Sequence, residues 1–265
     1  MSGSGWQLSG DAPTAYTKYI YPVMEPWTDD LIRAAQCGPG DRVLDVACGP
    51  GLVASRVGEV AQADCRITGI DVNEGMLNVA RRSSGIEWHL GSATGMPFTD
   101  ASFDVVLCQQ GLQYFPDRPA AMREMARVLA PGGRVSLNVW GALGRNPFQE
   151  AMTEVGGQVF GPDSVAPFRL AFSLNTAEEL RRLASDAGLH NIAVRFHHRT
   201  ARQPNVAEWI NGFLQASPMA AQFLAQPEDR RADIVRQMAE RLESYVDDFG
   251  AAVAQENHFL FATKP

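Results

Sequence analysis

One segment of the chain points to its architecture: Val43-Leu44-Asp45-Val46-Ala47-Cys48-Gly49-Pro50-Gly51-Leu52-Val53-Ala54. Its apolar first half predicts a buried strand, its glycines predict a tight turn, and its last residues predict the start of a helix. Glycine suits this turn because a side chain would keep a ligand away from the backbone, and because the turn can require positive φ. Open α/β sheets bind nucleotide-like ligands where a strand passes into a helix in this way.

The alternation of apolar runs and helical stretches extends from Asp41 to Trp140. Strands are predicted at 42–47, 66–70, 86–90, 103–108 and 134–140, and helices at about 51–60, 74–82 and 118–129. Two further strands are predicted at 191–198 and 258–263. Strands that alternate with helices are typical of a parallel sheet. We therefore expect an α/β fold with a Rossmann-like, mostly parallel seven-stranded sheet, helices on both faces, and a helical insertion before the last strand.

Three parts of the chain follow from this pattern. They are an N-terminal helical cap segment (1–40), an α/β core (41–198 and 258–265) and a helical insertion (199–257). The insertion is far longer than the roughly two to five residues of a hairpin loop, so it should hold structure of its own. Trp209 with Phe213, and Val235 with Met238, recur at helical spacing there. Such an apolar stripe serves a lid over a pocket or a dimer face equally well, and both interpretations stay open.

Composition limits the class of partner. The chain has 265 residues, a formal net charge of −7, 45% hydrophobic residues and 20% charged residues. This composition supports a large core, and an acidic chain without a basic run argues against nucleic acid as the main partner. We find no secretory signal and no apolar run of about 18 residues, so we expect a cytoplasmic protein without a membrane span. The four cysteines lack the spacing of a metal site, and no metal is predicted.

Two cofactors compete for the glycine turn. The spacing Gly49-x-Gly51-x-x-Ala54, with Asp71 further along, satisfies the dinucleotide fingerprint. A dinucleotide, however, places an anionic pyrophosphate at the turn, where the carboxylate of Asp45 would repel it. S-adenosylmethionine has no phosphate and carries a cationic amine and a sulfonium. The charge of Asp45 therefore favours S-adenosylmethionine.

Several ordered motifs carry a family resemblance. They are the glycine turn, Gly69-Ile70-Asp71, the stretch from Gly91 to Val106, Gln109-Gln110-Gly111-Leu112-Gln113-Tyr114-Phe115, and Arg127-Val128-Leu129-Ala130-Pro131-Gly132-Gly133. Together they resemble the class I S-adenosylmethionine-dependent methyltransferases, in particular the small-molecule group that includes the quinone-biosynthesis C-methyltransferases. The resemblance implies that Asp71 holds the ribose hydroxyls, and that Val72 and Met76 flank the adenine. A carboxylate suits the ribose because it can accept from both hydroxyls at once.

One residue departs from the family pattern. Ser92 stands where the family usually has an aspartate that accepts from the adenine amino group, so we expect adenine recognition to depend on the backbone near Ala93 and Thr94. The predicted cofactor-binding residues are Asp45, Ala47, Gly49, Pro50, Gly51, Asp71, Val72, Met76, Ser92, Ala93, Thr94 and Gln109.

The resemblance implies methyl transfer by in-line displacement, which depends on positioning rather than on a covalent intermediate. The sequence favours a small, apolar or aromatic acceptor. Predicted acceptor-binding residues are Tyr16, Tyr19, Gln110, Gln113, Trp140 and Phe148, and Tyr21, Trp27 and Phe168 are further candidates for the pocket wall. The catalytic residue is not predicted; His197, His198 and Tyr19 are the candidates for a base. Adjacent strand residues point to opposite faces, so at most one of the two histidines can face the pocket.

Two other functions remain as alternatives. The same glycines would suit a nicotinamide-dependent oxidoreductase, and Ser92 together with the insertion would suit a non-catalytic cofactor-binding module. A homodimer is compatible with the apolar insertion.

Overall fold

A mixed sheet forms the centre of the computed structural model, which describes residues 12–60 and 65–265. Its strands are β1 (Arg42–Val46), β2 (Arg66–Asp71), β3 (Ile86–Leu90), β4 (Phe103–Gln109), β5 (Leu129–Trp140), β6 (His190–Gln203), β7 (Val246–Asp247) and β8 (Gly250–Thr263). The order is β3-β2-β1-β4-β5-β8-β6, and β7 pairs with β8. Strands β1 to β5 are parallel, whereas β8 runs antiparallel to β5 and β6. The expected fold class is confirmed, with the two-residue β7 as an eighth strand.

Helices cover both faces of the sheet. They are α1 (Ala12–Tyr19), α2 (Tyr21–Ala35), α3 (Leu52–Val60), α4 (Glu74–Ala80), α5 (Arg118–Val128), α6 (Pro147–Phe160), α7 (Ala166–Ala171), α8 (Ala177–Asp186), α9 (Val206–Gln215), α10 (Ala220–Leu224) and α11 (Glu228–Glu240). Alternation along β1 separates two apolar cores: Val43 belongs to the core that contains Trp27 of α2, and Leu44 belongs to the core that contains Met122 of α5. Both cores are closed to solvent, as expected for a parallel sheet.

The helix boundaries follow local capping chemistry. The Asn73 side chain accepts the Met76 amide at 3.2 Å and starts α4, and the Thr176 hydroxyl accepts the Glu179 amide at 3.3 Å and starts α8. Helix α5 ends at Val128, ahead of the predicted stop at 131–133. Those three residues lie in an irregular part of β5, between the pairs Phe103–Leu129 and Val105–Arg134.

The last two strands are longer than expected. Strand β6 extends to Gln203 and β8 begins at Gly250, so part of the predicted insertion 199–257 is sheet, and its α-helices occupy 206–240. The reason is mutual pairing: Thr200 to Gln203 form a continuous antiparallel ladder with Ala254 to Ala251. In the described part of the chain, no helix combines the length and the apolar character needed to cross a membrane.

The topology brings loops together at one edge of the sheet. The chain passes from β1 outward to β2 and β3, then returns to place β4 on the other side of β1. Ligands of open α/β sheets bind at such a switch point. Ala47 after β1 and Gln110 after β4 both have left-handed backbone (φ 58° and 55°). Non-glycine residues in this conformation are uncommon and are concentrated at functional sites.

Candidate functional site

A cavity of about 440 Å³ opens at this switch point. Most of the predicted site residues line it: Asp45, Ala47, Gly49, Pro50, Asp71, Val72, Met76, Ser92, Ala93, Thr94, Gln109, Tyr16, Gln110 and Trp140. Tyr21 and Phe168 line it as well. The cavity therefore has walls from the sheet edge, from α1 and α2, and from the segments that follow β5.

Gly49 and Gly51 serve the turn in different ways. Gly49 has φ 53°, and its amide donates to the Asp71 carboxylate at 2.8 Å. Gly51 has φ 91° and lies outside the cavity wall; a Cβ atom there would come within 2.7 Å of the Trp88 ring. Close packing of the turn against Trp88 of β3 therefore requires a residue without a side chain at position 51.

Asp71 holds the loop around the turn. One carboxylate oxygen accepts the Gly49 amide and the other accepts the Asn73 amide at 2.8 Å. Burial raises the pKa of Asp71 despite these hydrogen bonds. Each carboxylate oxygen has a second acceptor position. The side chain can therefore organise the turn and still receive hydroxyl groups from the cavity that it lines.

Asp45 differs from its sequence-based interpretation. We expect an ionised carboxylate from the sequence, but the structure buries the residue to 1% exposure. One oxygen accepts the Ala54 amide at 3.0 Å, and Oδ1 has no hydrogen-bond partner among the described residues. Burial, with a smaller contribution from the negative charge of Asp71, raises the pKa of Asp45 to about 8. The group therefore holds its proton at neutral pH, and a cation placed beside it would favour the ionised form.

The loop after β3 supplies a surface for an adenine-like ring. The Ser92 hydroxyl lies 2.9 Å from the Thr94 hydroxyl and accepts a hydrogen bond from the Thr94 amide at 3.2 Å. These local contacts use much of the hydrogen-bonding capacity of Ser92. Met76 is buried at the cavity wall, whereas Val72 is 55% exposed although it lines the cavity. A flat ring between these two side chains would cover the exposed apolar surface of Val72.

Two tyrosines from the N-terminal helices reach the same end of the cavity. Burial, with a contribution from Asp71, raises the pKa of Tyr16 to about 12. Burial also raises the pKa of Tyr21, whose hydroxyl has no partner among the described residues. Both phenols therefore stay protonated at neutral pH and are available as hydrogen-bond donors.

The other half of the cavity is aromatic. Trp140 at the end of β5 stacks on Phe172, with ring centroids 5.9 Å apart and an interplanar angle of 29°. Phe168 of α7 lies 5.9 Å from Phe213 of α9. All four side chains line the cavity, and Phe213 comes from the predicted insertion. Stacked and tilted rings of this kind bind flat apolar ligands.

Four predicted wall residues lie elsewhere. Tyr19 packs over Gly212, and a Cβ atom added at Gly212 would come within 2.2 Å of the Tyr19 ring. Phe148 stacks on Trp209, with ring centroids 3.7 Å apart. Gln113 is fully buried behind the wall and donates to Gln110 at 2.8 Å. The indole of Trp27 donates to Gln255 in the core. These side chains support the wall without lining the cavity.

The structure does not bring the two candidate histidines to the cavity. His197 Nδ1 lies 3.4 Å from Asp30 Oδ2, and the ring packs against Phe259. His198 is exposed and lies 3.7 Å from Glu256. Strand β6 is at the far edge of the sheet, separated from β1 by the three strands β4, β5 and β8. Neither imidazole is placed to take a proton from a ligand in the cavity.

Sequence reasoning missed several wall residues. Met24, Gln149 and Phe172 line the cavity, and nothing in their local sequence separates them from core residues. Gln109 was expected to bind a cofactor, but its amide is engaged with α2: it accepts the Thr28 hydroxyl at 3.0 Å and lies 3.5 Å from the Met24 carbonyl.

Comparison with known proteins places this geometry in a family. The methyltransferase domain family matches residues 44–137. The chloroplastic 2-phytyl-1,4-beta-naphthoquinone methyltransferase of Arabidopsis thaliana is 32% identical over 185 residues, which are 61% of this chain and 69% of that protein. The 2-phytyl-1,4-naphtoquinone methyltransferase of Synechococcus elongatus is 34% identical over 118 residues, 42% of this chain and 51% of that protein. The ubiquinone/menaquinone biosynthesis C-methyltransferase of Xanthomonas oryzae is 39% identical over 119 residues, 42% of this chain and 47% of that protein. The chain thus spans about half the length of several curated relatives that it matches.

Solved structures share the fold at lower identity. The YcgJ protein of Bacillus subtilis has a TM-score of 0.58 and 20% identity, over 89% of this chain and 97% of that chain. Phosphoethanolamine N-methyltransferase 2 of Haemonchus contortus, solved with S-adenosyl-L-methionine, has a TM-score of 0.57 and 21% identity, over 91% of this chain and 52% of that chain. The matched domain spans the strands and loops that form the glycine-turn end of the cavity. On this evidence the chain belongs to the class I S-adenosylmethionine-dependent methyltransferases.

Proposed function

We propose that this chain transfers a methyl group from S-adenosylmethionine to a small, largely apolar or aromatic acceptor. One observation carries the proposal: the glycine turn and Asp71 line the same cavity as the aromatic residues Trp140, Phe168, Phe172 and Phe213. Several relatives are named as naphthoquinone or ubiquinone/menaquinone methyltransferases. Those names indicate small quinone-type acceptors, which supports the same class of acceptor here. The nicotinamide-dependent alternative is not favoured by these relatives.

The residues at the turn fit the cofactor. Within residues 12–60 and 65–265, the backbone at Gly49 has open space where a side chain would lie, Asp71 presents acceptors for hydroxyl groups, and the buried Asp45 carries an oxygen without a partner. When bound, S-adenosylmethionine would supply an activated methyl group, so the protein needs no nucleophile of its own. Asp45 would balance a cationic portion, and Val72 with Met76 would cover the adenine.

The remaining work of the chain is to place the acceptor and to exclude water. Aromatic rings hold a flat acceptor in one orientation, and effective concentration from such positioning supplies much of the rate. No histidine lines the cavity in the described part of the chain. Burial raises the pKa values of Tyr16, Tyr21 and Cys48, so these groups keep their protons at neutral pH. The site therefore suits an acceptor that needs little help to lose a proton.

The proposal extends to the parts outside the matched domain. Phe213 supports a role of the insertion as a wall over the acceptor, in addition to any role as a dimer face. We also propose a cytoplasmic location, a small-molecule acceptor rather than nucleic acid, and the three-part division of the chain given by the sequence, with the α-helices of the insertion at 206–240.

Binding of S-adenosylhomocysteine, measured by calorimetry, tests the cofactor end. We expect Asp71→Ala to weaken binding by about 10- to 100-fold, because it removes acceptors for the ligand and releases the Gly49 and Asn73 amides. Asp100→Ala is the control, since Asp100 is 78% exposed and pairs with Arg127 at 2.8 Å away from the cavity. Equal affinity in the wild type and Asp71→Ala would contradict this assignment, and fluorescence enhancement of bound NADH would support the oxidoreductase instead.

Transfer itself needs a second assay. Cofactor labelled in the methyl group, incubated with a panel of naphthols, hydroquinones and other hydroxyaromatic compounds, should give a labelled product with at least one member. This step matters because one fold can host several unrelated functions. Cofactor binding without transfer to any acceptor would favour a non-catalytic module.

A further inference from the structure

Among the described residues, one buried amide oxygen of the cavity wall near the aromatic rings has no partner. Gln149, near the start of α6, is 6% exposed and lines the cavity. Its Oε1 has no hydrogen-bond partner among the described residues. An unpaired carbonyl in such a place costs free energy unless a ligand completes it. The torsion that orients a glutamine amide is broad, so the group can turn towards the cavity at little cost.

Two neighbouring amides are already engaged. Gln110 Oε1 accepts from the Gln113 amide at 2.8 Å and from the Trp140 backbone at 3.1 Å, and its Nε2 donates to Asn257. Gln109 is engaged with α2, as described above. These side chains fix the loop after β4 and have little capacity left for a ligand.

The unpaired hydroxyl of Tyr21 belongs to the opposite end of the cavity. The groups whose charges act on it are Tyr16 of α1 and, at the glycine turn, Asp45 and Cys48. Gln149 is thus the polar side chain with an unpaired oxygen that accompanies the aromatic wall of Trp140, Phe168, Phe172 and Phe213 in the described cavity.

Resting on the proposed function, we propose that Gln149 determines acceptor specificity: its amide oxygen accepts a hydrogen bond from a hydroxyl group on an aromatic acceptor that lies among these rings. A site built to pair with a substrate hydroxyl discriminates strongly against the analogue that lacks it, because the buried oxygen is then left unpaired. The acceptor class is therefore a hydroxylated aromatic compound rather than a bare hydrocarbon. Gln149 is a specificity residue and takes no part in the transfer.

Equilibrium dialysis of 1-naphthol and 1-methylnaphthalene against protein saturated with S-adenosylhomocysteine tests the proposal. The two probes have similar shapes and differ in the hydroxyl group. The measured quantity is the ratio of the two probes' affinities. Comparing this ratio between variants removes the effect of the probes' different hydrophobicity. The variants are Gln149→Met, which removes the amide at similar size, Gln149→Glu, which keeps an acceptor, and Thr153→Val. Thr153 is buried one turn later in α6, donates to the Gln149 carbonyl at 2.7 Å and lies outside the cavity wall.

We expect Gln149→Met to lower the naphthol-to-methylnaphthalene ratio by at least about tenfold, in line with the cost of one unpaired buried acceptor. Gln149→Glu should retain most of the wild-type ratio, and Thr153→Val should leave it unchanged. An unchanged ratio in Gln149→Met, an equal fall in Thr153→Val, or failure of the wild type to bind either probe would each overturn the proposal. Dialysis requires no methyl transfer, so a chain that shows the expected ratios but transfers no label would refute the proposed function alone.

Discussion

Asp45 shows how one carboxyl group links the turn to the stability of the fold. It accepts the Ala54 amide at the start of α3, so it acts as a cap for the helix that follows the glycines. Its second oxygen is buried and has no partner in the part of the chain that the structure describes, and burial holds the pKa of Asp45 far above the ordinary value of 3.8. The folded chain therefore retains a proton that the unfolded chain loses near pH 4.

This difference predicts a pH dependence of folding. Because the pKa of Asp45 is raised to about 8 in the folded state, its contribution to stability is fully present below about pH 4 and is lost as the pH rises through about 8. Asp45→Asn keeps an oxygen for the Ala54 amide but has no proton to lose. We expect its free energy of unfolding, relative to the wild type, to increase by up to about 1.4 kcal/mol per pH unit between pH 5 and pH 8. Urea denaturation at three pH values checks this, and parallel curves for the two proteins would refute the burial argument.

At the scale of elements, α1 packs against α9, and this packing includes one especially close contact. The ring of Tyr19 lies over Gly212, and the residues beside that contact, Tyr16 and Phe213, line the cavity. The position of α1 therefore depends on the absence of a side chain in α9. This packing also explains why Tyr19 faces the insertion instead of the acceptor.

Gly212→Ala tests that packing. A methyl group would come within 2.2 Å of Tyr19 Cδ1, so we expect a loss of about 1–3 kcal/mol in the free energy of unfolding despite the better helix propensity of alanine. Gly58→Ala in α3 is the matched control. Its new Cβ would lie 3.5 Å from Ile67, and it should stabilise the protein by about 0.5–1 kcal/mol. In a Tyr19→Ala background Gly212→Ala should no longer destabilise; if it still does, another contact is responsible.

Local sequence predicted some elements well and others poorly. The bounds of β1 and α3 were predicted to within one residue, because an apolar run followed by glycines signals both ends. The start of β8 was placed eight residues too late, at position 258 instead of 250, since Ala251 to Gln255 have low strand propensity. Their pairing with β6 overrides that propensity, with Ala251, Val253 and Gln255 buried on one face. Long-range pairing leaves no signal in a single segment.

The same limit governs the site at the scale of the whole molecule. The glycine-turn end is built from β1, β2 and β4 and the loops after β1 to β4, whose motifs lie within the matched residues 44–137. The aromatic residues come from the end of β5 and from α6, α7 and α9, and α1 and α2 add to the wall near the turn; these elements are distant in sequence and meet only after folding. Asp71 and the turn could therefore be predicted, whereas Gln149 and Phe172 could not.

This division predicts which segments a bound cofactor protects from hydrogen exchange. S-adenosylhomocysteine at about 100 times its Kd should stabilise the protein by about 2.7 kcal/mol. We expect hydrogen exchange to slow in the turn at 49–54 and also in 16–24, because Tyr16, Ile20, Tyr21 and Met24 lie on the cavity wall although they precede the matched domain. Residues of α11, which is outside that wall, should exchange at unchanged rates in short labelling times. Slower exchange at 49–54 without any change at 16–24 would show that the N-terminal helices do not close over the cofactor, and that the acceptor reaches the methyl group from their side.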